Sequence, residues 1–90
     1  MQPSIEQEIR QFVIDNFLFG QAGTLANDES FLESGIIDST GVLELVGFLE
    51  QRFGLAIQDR ELVPANLDSV SRVVQFVERK RQAGEAQLAG

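Results

Sequence analysis

Apolar residues recur at helical spacing in three stretches of this 90-residue chain. Ile5, Ile9, Phe12, Val13 and Phe17 fall at i, i+4, i+7, i+8 and i+12, the single stripe of a helix running from about Ser4 to Phe17. Ser4, with Gln7 three residues on, has the form of a capping box at its start. Val42, Leu45, Val46, Leu49 and Phe53 fall at i, i+3, i+4, i+7 and i+11. They predict a second helix from Asp38 or Ser39 to about Phe53, with Gly54 as its stop. Thr40, Glu44, Gly47 and Gln51 point away from that stripe, and Leu43 sits on its edge. Val70, Val73, Val74 and Val77 mark the inner face of a last helix that opens after Asp68 or Ser69.

The intervening segments are weaker in pattern. Residues 18–37 show no period and contain Gly20, Gly23, Asn27, Asp28 and Gly35, a long loop for so small a chain. Phe31, Leu32, Ile36 and Ile37 are expected to anchor its second half. Residues 18–30 have little to hold them, and rapid amide exchange is expected across Gly20–Asn27. Leu55-Ala56-Ile57 reads as short and extended, and Asp59 as the cap of a brief helix through Val63 that Pro64 ends. From Gln82 onward Ala, Gly, Gln and Glu dominate and read as a frayed tail. The expectation is an all-α domain over residues 1–81 and a flexible tail over 82–90. The domain is a four-helix bundle of three main helices plus one short one, with the long loop between the first and second.

Composition narrows the chemistry. With no Cys and no His, disulfides, thiolate nucleophiles, Ser-His-Asp machinery and the usual metal clusters are excluded, and no catalytic or metal site is predicted. Fourteen acids against seven bases give a net charge of −7, which disfavours nucleic acid and favours basic protein partners. The acidity is uneven: residues 1–71 hold twelve of the acids but three of the bases. Arg79-Lys80-Arg81 then reads as positive charge at the end of the last helix. No apolar run is long enough for a membrane helix, and Met1-Gln2-Pro3-Ser4 does not read as a signal peptide. A cytoplasmic monomer is expected.

One segment joins these strands. In Gly35-Ile36-Ile37-Asp38-Ser39, a serine enters the first turn of a helix, where free N–H groups and the positive dipole end favour an attached phosphate. Asp38 or Ser39 would also be an ordinary N-cap. Phe31-Leu32-Glu33-Ser34-Gly35-Ile36-Ile37-Asp38-Ser39, with Val42-Leu43-Glu44-Leu45-Val46 and Phe48-Leu49-Glu50 behind it, resembles the acyl carrier protein family. The likeness continues through Phe53-Gly54-Leu55-Ala56-Ile57 and Pro64-Ala65-Asn66-Leu67-Asp68-Ser69-Val70, covering about residues 5–80.

The resemblance implies a four-helix bundle whose Ser39 receives a 4′-phosphopantetheine arm from coenzyme A through a separate phosphopantetheinyl transferase. Asp38 would orient the transferase's magnesium as well as cap the helix. The arm's thiol would carry acyl or aminoacyl groups as thioesters, with catalysis left to partner enzymes such as a loading ligase or synthase with a basic docking surface. Thr40, Leu43, Glu44, Gly47 and Glu50 are the expected partner contacts. Glu33, Asp38, Asp59 and Glu61 are expected to extend the acidic docking surface. A cargo chain sheltered by the bundle would lie near Leu45, Val46, Leu62 and Val70.

Thr40, Gly41 and Gly47 depart from the Leu, acidic and bulky apolar residues common at these places in fatty-acid carriers. That departure points to a specialised free-standing carrier rather than the housekeeping one. The competing readings are a small helical interaction domain that is never modified and an enzyme working with carboxylates alone.

Overall fold

The computed structural model describes residues 4–18 and 25–89, with side chains through Ala83. The expected rapid exchange over Gly20–Asn27 falls mostly outside these residues. Three long helices carry the fold: α1 (Ile5–Phe17), α3 (Ser39–Phe53) and α5 (Val70–Ala89). Two single-turn helices, α2 (Phe31–Ser34) and α4 (Pro64–Leu67), and a 3₁₀ turn (Asp59–Glu61) fill the connections. There is no strand among the described residues.

The helix ends follow local chemistry. At α1 the capping box is complete: Ser4 Oγ accepts from the Gln7 N–H and Gln7 Oε1 from the Ser4 N–H, each at 3.1 Å. Gly54 ends α3 in the left-handed region at φ 68°. Ser69 Oγ accepts the Arg72 N–H at 3.2 Å and so caps α5.

Three boundaries differ from the sequence reading. Pro64 does not end a helix but starts α4, because its missing N–H and fixed φ suit a first helical position. The brief helix before it is a 3₁₀ turn whose N-cap is Gln58 rather than Asp59. At the C-terminal end α5 passes Arg81 and runs to Ala89. Ala, Gln, Glu and Leu are all good helix formers, and the low hydropathy that reads as a tail says nothing against helix.

The core is drawn from all three long helices. Ile9 and Val13 of α1, Leu45 and Leu49 of α3, and Val70, Val73 and Val77 of α5 are fully buried, with Phe31 and Ile37 closing one end. The α1 and α3 helices meet through the stacked rings of Phe12 and Phe48, whose centroids are 4.2 Å apart.

The loop is tied down earlier than its composition implies. Leu25 joins the core, and the Arg10 guanidinium donates to the Leu25 carbonyl at 2.6 Å and to Asn27 Oδ1. The Ser71 N–H donates to the Asn27 carbonyl at 2.8 Å. Leu32, expected as an anchor, instead faces solvent at 46% exposure. The anchoring there is polar: the Asp68 carboxylate accepts from the Leu32 N–H at 3.0 Å and from Ser30 Oγ, and the Asp68 carbonyl accepts from the Phe31 N–H at 2.7 Å.

Candidate functional site

The chain reaches Ser39 through a sharply defined entry. Gly35 takes φ 77° after α2, a conformation that favours glycine, and turns the backbone toward α3. Ile37 then plugs into the core, and its N–H donates to the Phe31 carbonyl at 3.2 Å. Asp38 is left outside as the N-cap of α3, with its Oδ1 accepting the Gly41 N–H at 2.7 Å. Ser39 is the first helical residue and is exposed. No acid lies within the first turn of α3; the Asp38 cap takes the Gly41 N–H, and the remaining free N–H groups and the helix dipole favour a phosphate at Ser39.

Ser39 also lies on the wall of an apolar pocket of about 240 Å³. Phe31 and Leu32 of α2, Val42 and Leu43 of α3, and Leu62, Val63, Pro64 and Leu67 around α4 line it. Among the described residues, Ser39 and Asp68 are its only polar lining residues. Among the described residues, the three large apolar side chains most open to water, Leu43 at 61%, Leu32 at 46% and Val63 at 41%, all belong to this lining. The wall opposite α3 is clipped to α5. Arg72 donates to the Pro64 carbonyl at 3.2 Å, Arg79 to Asn66 Oδ1 at 2.9 Å, and Lys80 to Glu61 Oε1 at 2.9 Å. The basic run on α5 therefore braces the pocket, two turns short of the helix end, instead of complementing that end.

The remaining candidate residues divide. Thr40 and Glu44 are exposed on the same stretch of α3 as Leu43, whereas Gly47 is half-buried further along. Glu50 lies eleven residues from Ser39, about 16 Å along the helix axis. Its Oε2 accepts the Ile57 N–H at 3.0 Å and braces the chain after α3. Asp59 is exposed, but Glu61 is engaged by Lys80 within the fold. Gly41 is buried and takes no part in an exposed face.

The pocket is set beside the region expected to shelter a cargo chain. Leu62 lines it, but Leu45 and Val70 are packed solid beneath it. Sequence periodicity groups residues by helix face and cannot see a cavity made by α2, α4 and one edge of α3. The available signal was the close run Leu62-Val63-Pro64, too apolar for a solvated turn.

Comparison with known proteins agrees with this arrangement. The family described as "Phosphopantetheine attachment site" matches residues 18–77, which include Ser39 and every residue lining the pocket. The chain is 31% identical over 75 residues to the probable acyl carrier protein PigG of Serratia sp. (strain ATCC 39006), covering 83% of this chain and 86% of that one. It is 31% identical over 77 residues to the D-alanyl carrier protein of Streptococcus pyogenes serotype M1, covering 83% and 98%. The crystal structure of an acyl carrier protein from Thermotoga maritima superposes with a TM-score of 0.64 at 22% identity over 92% of this chain and 98% of that one, which establishes the shared fold. The chain belongs to the phosphopantetheine-attachment family and is a carrier protein, holding its cargo as a thioester on a covalently attached 4′-phosphopantetheine arm.

Proposed function

We propose that Ser39 is the attachment residue and that the carrier serves a specialised pathway with an apolar acyl cargo. One observation carries this reading: the exposed Ser39 hydroxyl stands at a capped helix N-terminus and on the wall of an apolar pocket. The residues suit the arm. The hydroxyl is free to form a phosphodiester as coenzyme A is cleaved, and the first turn of α3 stabilises the phosphate formed there. Asp38 keeps Oδ1 on the Gly41 N–H and leaves Oδ2 for the magnesium of the phosphopantetheinyl transferase.

The eight apolar residues lining the pocket favour an acyl chain with a hydrocarbon body over a small polar cargo such as the D-alanyl group in the name of one relative. Loading and unloading fall to partner ligases, synthases or transferases, and this chain contributes tethering, shelter and recognition. Thr40, Leu43 and Glu44 form the recognition face beside Ser39. The match covers 86% and 98% of the two relatives' own lengths. No described helix is long and apolar enough to cross a membrane.

The test is intact mass after incubation with coenzyme A and a broad-specificity phosphopantetheinyl transferase. The native chain should gain one arm and Ser39→Ala none. Arm transfer to Ser34 or Ser69 in that variant would overturn the assignment.

A further inference from the structure

Gly41 lies two residues past Ser39, on the inner side of the first turn of α3. A Cβ built at Gly41 would sit 2.8 Å from Phe17 Cε1, 2.9 Å from Ile37 Cγ2 and 3.3 Å from Asp38 Oδ1. The first two separations are closer than real Cβ contacts, so a side chain here forces something to move. Ile37 is 1% exposed and has nowhere to retreat. The Phe17 ring is held edge-on by Phe12, with centroids 6.0 Å apart. By contrast, a Cβ added at Gly47 on the same helix meets nothing within 4 Å. The tight fit thus belongs to the first turn, where the end of α1, the buried entry residue and the capping carboxylate converge on one α-carbon.

We infer that Gly41 is a positioning residue for arm attachment. Its missing side chain lets Phe17, Ile37 and Asp38 clamp the first turn of α3, and that clamp fixes the direction in which Ser39 presents its hydroxyl. The inference rests on Ser39 being the attachment residue. A methyl at position 41 must push the turn away from Ile37 or drive the Phe17 ring outward, and the Asp38 cap lies in the same contact. Group transfer is steep in such displacements, with roughly a hundredfold rate loss for about 1 Å of misplacement. Because Gly41 is buried, the docking face stays as it is, and the loss falls on kcat rather than KM.

The experiment is steady-state arm transfer from coenzyme A to four apo chains: native, Gly41→Ala, Phe17→Leu and the double variant. Leucine has no atom in the place of Phe17 Cε1. Gly41→Ala should lower kcat about tenfold and leave KM for the carrier within about twofold. Phe17→Leu loosens the clamp and should cost about threefold, and the double variant should fall between about three- and tenfold because the Ile37 contact remains, whereas independent effects would multiply to about thirtyfold. A native kcat for Gly41→Ala, a change in KM alone, or a multiplicative double variant would each overturn the inference. If Gly41→Ala does not fold, Phe17→Leu alone carries the test. Its amide exchange from Ser39 to Val42 should accelerate along with the fall in kcat, and unchanged exchange would overturn the clamp. Ser39→Ala is run alongside. Arm transfer to that chain sinks the attachment reading, while full transfer to Gly41→Ala with none to Ser39→Ala sinks only the role of Gly41.

Discussion

Lys80 Nζ lies 2.9 Å from Glu61 Oε1, and this pair ties the Leu62–Pro64 wall of the pocket to α5. Asn66 extends the tie, accepting from Arg79 at 2.9 Å and donating to the Glu61 carbonyl at 3.0 Å. The wall has few buried side chains of its own, so polar links to α5 take over what a larger apolar interface would do.

The first prediction follows from the acid in that pair. The Glu61 carboxyl is held below its ordinary value of 4.5, first by the Gln58 N–H and then by Lys80. A depressed pKa means the folded state holds the charged form. This contribution to stability is therefore complete above the ordinary value and is lost as pH falls through the lowered one. Lys80→Met should raise the Glu61 pKa without restoring it fully, because the Gln58 contact remains. The cost should be about 0.5 kcal/mol, the size of a part-exposed pair, and salt should reduce it. Carboxyl titration by NMR checks this, and a Glu61 pKa unmoved by the substitution would refute it.

Asp38 caps α3, and in the proposed function it also faces the transferase's magnesium; two substitutions separate these tasks. Asp38→Ala loses the bond to the Gly41 N–H and should destabilise the fold by about 1 kcal/mol. Asp38→Asn keeps a capping oxygen and should stay within a few tenths of a kcal/mol of native. Both should accept the arm slowly, because neither offers a carboxylate to the transferase's magnesium. Native-rate transfer to Asp38→Asn would leave Asp38 as a cap alone.

The long helices were legible because each buries a stripe at helical spacing, and Ser4, Asp38, Gly54 and Ser69 mark ends by local hydrogen bonding that needs no tertiary context. The position of Ser39 at the start of α3 was legible from its turn. The pocket was not, since it is formed between segments that have no period. Leu25 is buried in a run with no apolar period, held by Arg10 at its own carbonyl and by Ser71 at that of Asn27, residues distant in sequence. Gly41 looked like a lost surface charge because the position of Phe17 above it depends on where α1 ends relative to α3. The bracing role of Arg79 and Lys80 was hidden because it depends on where Glu61 and Asn66 sit against α5.

Recognition by partners should depend on the exposed edge of α3. Leu43→Ala removes a side chain that is 61% exposed, so it should leave the melting temperature within about 2 °C while weakening complexes with a loading enzyme. Glu44→Lys should slow association with a basic partner, and added salt should narrow the gap. Loading rates measured across a salt series decide it. Unchanged rates in both variants would move the docking face away from α3.

The cargo prediction follows from where space exists. Each methylene moved from water into an apolar site gains about 0.8 kcal/mol, so four of them sheltered would stabilise the fold by about 3 kcal/mol. For a domain of this size that is a rise of at least about 12 °C in melting temperature between the holo and octanoyl forms. Amide shifts should appear at Phe31, Leu62, Val63 and Leu67, which line the pocket, and not at Leu45 or Val70, which are fully buried without lining it. Val42 is half-buried on the pocket wall, so Val42→Phe should fill the space from within. That variant should still accept the arm but lose both the melting gain and the shifts at Leu62 and Val63. Octanoyl-dependent shifts confined to Asp38–Gly41 in the native chain would show that the cargo stays outside, and the pocket would then serve partner contact through Leu32, Leu43 and Val63 instead.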